Sequence, residues 1–300
     1  MRVSGRTAAL LVVCVALWGG HYPTAALVVD DISPFSLTFL RWVGALLPLV
    51  LIAWVAERPE LLAIAKALPQ LLLLSCLGML MYAMLMYSAL ELIEPVPASM
   101  VGASTPAVLA VLGALMAGER LNARLVIGIG VSLVGVIIVI SGGNTEALFL
   151  TDFSRGHVYM VGVVVAWSLY SIWGRVPGVP PITAVAVQAA IAVLVMLPFV
   201  ALFGIEAPSR SATGWALLFI ALVPSVACYV LWSIALRLTP SGHAGVFLNL
   251  AVFSSVGLAV VFGYKVTVAD LTGGAFVIAG VLVSSVSAAR QPPPSSPEPL

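Results

Sequence analysis

Residues 182–204 read ITAVAVQAAIAVLVMLPFVALFG, an apolar run without a charged residue from end to end. Its length matches the ~20 residues that a helix needs to cross the hydrocarbon core of a bilayer. A soluble helix of that length would carry a polar face toward water, and this one has none. Nine comparable runs flank it, at 8–28, 34–56, 68–90, 97–117, 123–141, 157–174, 213–236, 243–262 and 270–289. Hydrophobic residues make up 62% of the 300 and charged residues 8%, against about 25% charged in an ordinary soluble chain. So few charges cannot keep a protein of this size in water. The expected class is an all-α membrane protein with ten transmembrane helices, because in lipid each span must satisfy its own backbone hydrogen bonds.

Almost no chain remains between the spans, so no loop can hold a catalytic or nucleotide-binding domain. The net charge of +1 gives no sign of a nucleic-acid partner. The three cysteines, Cys14, Cys76 and Cys228, lie inside apolar runs without C-x-x-C spacing. They read as small packing residues rather than disulfide or zinc ligands. The run after Arg2 and Arg6 continues to Val29 without a small-residue cleavage pattern, and reads as a retained first helix rather than a removed signal. The end, QPPPSSPEPL (291–300), is too rich in Pro and Ser to fold and is expected to be a disordered cytoplasmic tail.

Charge gives the direction of threading. Arg2, Arg6, Arg58, Lys66, Arg120, Arg124, Arg175, Arg237 and Arg290 fall on one side, and only Arg155, Arg210 and Lys265 on the other. Cytoplasmic loops carry the excess of Lys and Arg, so both termini are expected in the cytoplasm.

The two halves echo each other. Pro95, Gly118, Gly128 and Gly135 recur as Pro240, Gly263, Gly273 and Gly280 at one offset, ALWGG (16–20) matches VAWSL (165–169), and Pro48 matches Pro198. The repeats are expected at 1–142 and 157–289. Five spans per repeat is an odd number, so the second copy enters the membrane from the opposite side. Inverted repeats of this kind let a site between the halves open to one side and then to the other. A duplication that merely enlarged a bundle is the alternative.

The stretches ALWGGHYP (16–23), SPFSLTFLRW (33–42), TPAVLAVLGALMAGERL (105–121) and VAWSLYSIWGR (165–175) resemble the drug/metabolite transporter superfamily, specifically its EamA-type ten-helix inner-membrane exporters. The resemblance runs from about residue 8 to 289. It implies a bacterial inner-membrane carrier with a central cavity between the halves, often exporting amino acids or other small metabolites. Three positions depart from the pattern. The second half reads Gly263-Tyr264-Lys265 where the first has Gly118-Glu119, Ala251 stands where Pro106 would recur, and no counterpart of Arg41 appears, with Gln188 nearby instead.

Substrate-binding candidates are polar or aromatic groups at membrane depth. Arg41 lies inside the second span, where an arginine costs about 2.5–3.5 kcal/mol on insertion scales. It either attracts a carboxylate or braces neighbouring helices; the resemblance, with an arginine here across many substrates, favours bracing. His21 could carry a proton, bond a solute, or bond a neighbouring carbonyl. Gly19, Gly20 and Pro23 predict a bend beside a cavity, or a close-packing face. Trp18, Tyr22, Tyr82, Tyr87, Trp167, Tyr170, Trp173, Tyr229 and Trp232 are aromatic candidates for a cavity wall, with Trp18 and Trp167 at matched positions in the two halves, and Ser104 and Thr105, before Pro106, are polar candidates. Trp42, Trp54 and Trp215 fit interfacial anchors better. Asn249 needs partners in hydrocarbon, either a solute or another helix. Glu119 reads as a structural cap. Gly128, Ser132 and Gly135 share a helix face, repeated by Gly273 and Gly280, which packs within one chain or between two copies as a homodimer.

The leading expectation is a secondary transporter exporting small organic metabolites such as amino acids, with a small-molecule solute and the lipid bilayer as its partners, no nucleic acid, and no cofactor. A lipid-linked or nucleotide-sugar carrier would need a strongly basic cavity. An intramembrane enzyme would need a paired Ser/His, two aspartates or a metal set, and His21, His157 and His243 do not make one. A non-transporting assembly protein would have a dry, solid centre.

Overall fold

The computed structural model of the chain describes residues 5–116, 123–141, 143, 154–239, 244, 247–248 and 250–288. Among the described residues all regular structure is helical. Ten segments follow in order. They are α1 (Gly5–Val29), α2 (Pro34–Glu57), α3 (Leu61–Leu90), α4 (Pro95–Gly102 continued by Thr105–Met116), α5 (Ala123–Ile140), α6 (Arg155–Trp173), α7 (Pro181–Phe203), α8 (Ser211–Leu238), α9 (Leu250–Val261) and α10 (Val268–Ala288). Segments α1–α4 and α6–α8 are long and apolar enough to span a membrane, and α5 and α10 contain shorter apolar helices, Val126–Val139 and Val268–Gly280. Leu47, Trp54, Leu194, Phe203 and Trp215 point outward and exposed, as a lipid-facing surface requires. Pro240, Gly118, Glu119, His243, Asn249 and the tail lie outside the described residues.

Local chemistry sets the helix ends. Proline opens α2, α4 and α7, where its missing N–H costs nothing. Arg58, at φ 48°, ends α2 and Gly204, at φ 76°, ends α7, both in left-handed backbone.

The packing repeats itself. Segment α2 lies along α7 and α5 along α10; α1 packs on α8 and α9, while α6 packs on α3 and α4. Exchanging each helix with the one five places on maps this pattern onto itself. The α5–α10 contact is backbone on backbone. A Cβ on Gly135 would fall 2.5 Å from the Gly273 carbonyl oxygen, and one on Gly280 would fall 2.4 Å from that of Gly128. The small-residue face is therefore filled within one chain.

The ends of the α2–α7 pair are tied by matched carboxylates. Glu57, closing α2, accepts from the N–H groups of Ile182 (3.0 Å) and Thr183 (2.7 Å) at the start of α7. On the opposite face Glu206, just past α7, accepts from the Ser33 N–H at the start of α2, while Ser36 Oγ accepts from the Glu206 N–H at 3.0 Å. The Ser33 N–H holds the Glu206 carboxyl below the usual carboxylate range. Glu57 and Glu206 are separated by the same offset as Trp18 and Trp167. Nearby, Asp31 accepts from the Ser209 hydroxyl, the Ser209 N–H (2.9 Å) and the Arg210 N–H (3.3 Å). The Ser209 hydroxyl, first among these, pulls its carboxyl down to about 2.

Candidate functional site

Four helices lose regular α geometry near the middle of the bundle. Segment α1 breaks at Gly20, between Gly5–Gly19 and His21–Val29. Segment α4 breaks at Ala103–Ser104, where the Ser104 hydroxyl donates to the Val101 carbonyl (2.7 Å) and the Thr105 hydroxyl to the Gly102 carbonyl (2.5 Å). Segments α3 and α8 each widen into a π-helical stretch, Ser75–Met81 and Val223–Cys228. Such interruptions free backbone groups and are tolerated at membrane depth only where protein or a cavity meets them.

Three of them, α1, α3 and α4, border a chamber. Its wall comprises Trp18 and Tyr22 of α1, Tyr82 of α3, Ser99, Gly102, Ala103 and Thr105 of α4, Val163 and Trp167 of α6, Ala251 of α9, and Leu248. The enclosed space is ≈ 60 Å³, room for a few waters at ~10–15 Å³ apiece and far short of the ~300 Å³ of a small-ligand pocket. A larger occupant requires the walls to part.

Trp18 and Trp167 meet edge to face with ring centroids 4.8 Å apart. Tyr82 lies 5.0 Å from Trp167, and Tyr170 stacks behind it at 5.0 Å. Tyr229 closes on both tryptophans, at 5.6 and 5.5 Å, and its hydroxyl donates to the Gly78 carbonyl. Gly78 is required here because a Cβ would sit 2.4 Å from the Tyr170 ring. The Trp18 indole N–H is buried without a partner among the described residues.

Beside the chamber runs a separate polar chain. Arg41 is fully buried; its Nε donates to Ser225 Oγ at 2.9 Å and its Nη1 to Tyr87 Oη at 2.6 Å. His21 Nε2 lies 2.9 Å from the same Tyr87 oxygen. That oxygen accepts from Arg41 and shares one proton with His21 Nε2, so which of the two donates there sets the His21 tautomer. A second proton on His21 would place two positive charges together. Among the described residues no carboxylate pairs with Arg41, which counts against His21 as the proton carrier. Both His21 Nδ1 and Arg41 Nη2 are buried without partners among the described residues.

Of the sequence candidates, Trp18, Tyr22, Tyr82 and Trp167 line the chamber. Tyr170 stands one ring behind, and His21 and Arg41 occupy the adjoining chain. Asn249 is outside the described residues. Tyr87 is among the aromatic candidates, whereas Ser225, Ser99 and Gly102 were not singled out. Ser225 carries a signal in hindsight, since it repeats Ser75 at the offset relating Pro48 to Pro198. Trp42 corrects an expectation: it is no interfacial anchor but fully buried, donating to the Met79 carbonyl at 3.0 Å, because its α2 face packs on the π-helical stretch of α3. Gly19 and Gly20 divide two roles. The bend falls at Gly20, and a Cβ on Gly19 would overlap Ser254 of α9.

Known proteins share this organisation. The EamA-like transporter family matches twice, at residues 6–141 and 154–286. An uncharacterized transporter of Archaeoglobus fulgidus is 28% identical over 94% of this chain and 98% of its own length. The aromatic amino acid exporter YddG of Ancylobacter novellus is 28% identical over 33% of this chain and 34% of its own. One solved crystal structure superposes with a TM-score of 0.67 at 20% identity, covering 95% of this chain and 99% of the other, and speaks to the fold alone. The matches take in both halves and nearly every helix described above, so the chain belongs to the EamA-like transporter family and is a multi-pass membrane transporter.

Proposed function

We propose that the chain is a secondary exporter of small organic solutes with an aromatic or apolar body, amino acids among them, working by alternating access across the bacterial inner membrane. The observation that carries this reading is the chamber at which Trp18 of one half meets Trp167 of the other. A wall shared by two halves of opposed orientation opens to either side as they rock. Trp18, Tyr22, Tyr82 and Trp167 contact the solute, Tyr170 backs Trp167, and His21 and Arg41 position the wall. Asn249, between the lining residues Leu248 and Ala251 in sequence, is a further proposed contact. The basic bias places both termini in the cytoplasm. The partial similarity to an aromatic amino acid exporter supports the solute class. Among the described residues no charged side chain lines the chamber, which argues against a nucleotide sugar.

Efflux from loaded proteoliposomes, with and without a pH gradient, tests the reading across aromatic, aliphatic and polar solutes. Saturable efflux of aromatic solutes above protein-free vesicles is expected. A panel that leaks no faster than from empty vesicles would contradict it.

A further inference from the structure

We infer that the solute's polar end is a carboxylate, that a positively charged amine is rejected, and that Arg41 sets this preference. The inference rests on the proposed reading of the chamber as the solute site.

Among the described residues the fully or nearly fully buried charges are Arg41 and Asp270. Asp270 sits at the third position of α10, where its carboxylate accepts from Tyr264 Oη and the Thr267 N–H, both at 2.9 Å. Arg41 lies more than two turns inside α2 and its partners, Ser225 Oγ and Tyr87 Oη, are neutral. The Trp42 and Tyr87 ring faces, 4.6 and 5.7 Å from the guanidinium carbon, ease its burial without cancelling its charge.

That charge stands one layer of rings behind the chamber. Trp42, under the guanidinium, touches Tyr229 at 5.2 Å, and Tyr229 touches the lining residue Trp18. On the other side Tyr87 bonds His21, the sequence neighbour of the lining residue Tyr22. With no charge on the wall itself, Arg41 fixes the sign of the field inside.

Unpaired donors near the wall agree with that sign. Trp18 Nε1, His21 Nδ1 and Arg41 Nη2 are buried without partners among the described residues. Trp18 Nε1 and Arg41 Nη2 can only donate. Of these residues Trp18 lines the chamber, where an acceptor group on the solute meets its N–H, and a carboxylate is the strongest one an organic solute offers. An α-ammonium meets ring faces, which attract a cation weakly, and hydroxyls but no carboxylate among the described lining residues, so an amino acid is tolerated, not required.

Three probes share a phenyl ring on a two-carbon linker and differ in the polar groups it carries: 3-phenylpropanoate a carboxylate, phenylalanine a carboxylate and an ammonium, and phenethylamine an ammonium alone. Their binding to the purified full chain at pH 7 is read by tryptophan fluorescence. Two unit charges about 10 Å apart at an effective dielectric near 20 shift binding by about tenfold. The expected order is phenylpropanoate first, phenylalanine next, and phenethylamine weaker than the first by at least about tenfold. Arg41→Gln is expected to bring anion and amine within about threefold of each other, while Arg41→Lys, which keeps the charge, preserves the order. Phenethylamine binding as tightly as phenylpropanoate overturns the inference in the wild type alone, whether or not the glutamine variant folds. An unchanged ratio in a folded Arg41→Gln protein overturns it too. If no probe binds, the reading of the chamber falls, and this inference with it.

Discussion

Trp167→Ala is expected to cost about 3 kcal/mol of stability and to reduce aromatic-solute efflux by more than about tenfold. Trp167 is 4% exposed and its ring meets Trp18, Tyr82, Tyr170, Tyr229 and Trp232 at centroid distances of 4.8–5.9 Å. Removing it empties the centre of that cluster. Tryptophan deletions cost about 3–5 kcal/mol in soluble cores. The lower end applies here, because lipid is itself apolar and the loss is of packing rather than of shelter from water. Each aromatic pair adds about 0.5–1.5 kcal/mol beyond burial. Trp167→Phe keeps the stacking on Tyr170 and separates the two effects. It is expected to unfold close to wild type in detergent while efflux falls. Folded Trp167→Ala protein transporting within about twofold of wild type would remove Trp167 from the path.

Gly280→Leu is expected to be the most damaging substitution outside the chamber. A Cβ at Gly280 meets the Gly128 carbonyl oxygen at 2.4 Å and the Ser132 nitrogen at 2.4 Å. Both are backbone atoms of a neighbouring helix, so no side chain can swing aside. Overpacking costs about 1–3 kcal/mol where side chains yield, and at least the upper end is expected where a helix must move. Gly130→Leu is the control: it lies on the same α5, yet nothing stands within 4 Å of its Cβ. Thermal unfolding of the two purified variants separates them. Equal stability would mean that α5 and α10 do not touch as described.

Much of this fold is legible in sequence because lipid leaves the chain few options. A run such as 182–204 has no state other than a spanning helix, and α7 is found at Pro181–Phe203. Trp18 and Trp167 were paired by the repeat alone, and they touch. Gly135 and Gly280 were placed on close-packing faces, and each meets a backbone. What was illegible depends on rotation and on neighbours. Tyr170 follows Trp167 by three residues, about 60° short of a full turn, and its ring stacks behind that of Trp167. The π-helical stretches at Ser75–Met81 and Val223–Cys228 contain Gly78 in the first case and Pro224 in the second, residues that by themselves do not specify a π-helix. Partners on other helices, such as the Ser75 hydroxyl on the Gln188 carbonyl at 2.8 Å, hold them. The Arg41–Tyr87–His21 chain joins α2, α3 and α1, and no spacing along the sequence announces it. The Glu57–Glu206 pair was not recognised in the sequence, and the helix ends they tie give their shared offset its meaning.

The central claim is that one chamber, walled by both halves, faces each side of the membrane in turn. Ser99 lines it and is 4% exposed, and Ser99→Cys changes a single atom. In a background with Cys14, Cys76 and Cys228 replaced by alanine, a membrane-impermeant thiol reagent is applied to oriented vesicles from one face and then from the other. The account predicts labelling from both faces, slowed in both cases by saturating solute. Labelling from one face alone, or from neither, would contradict it.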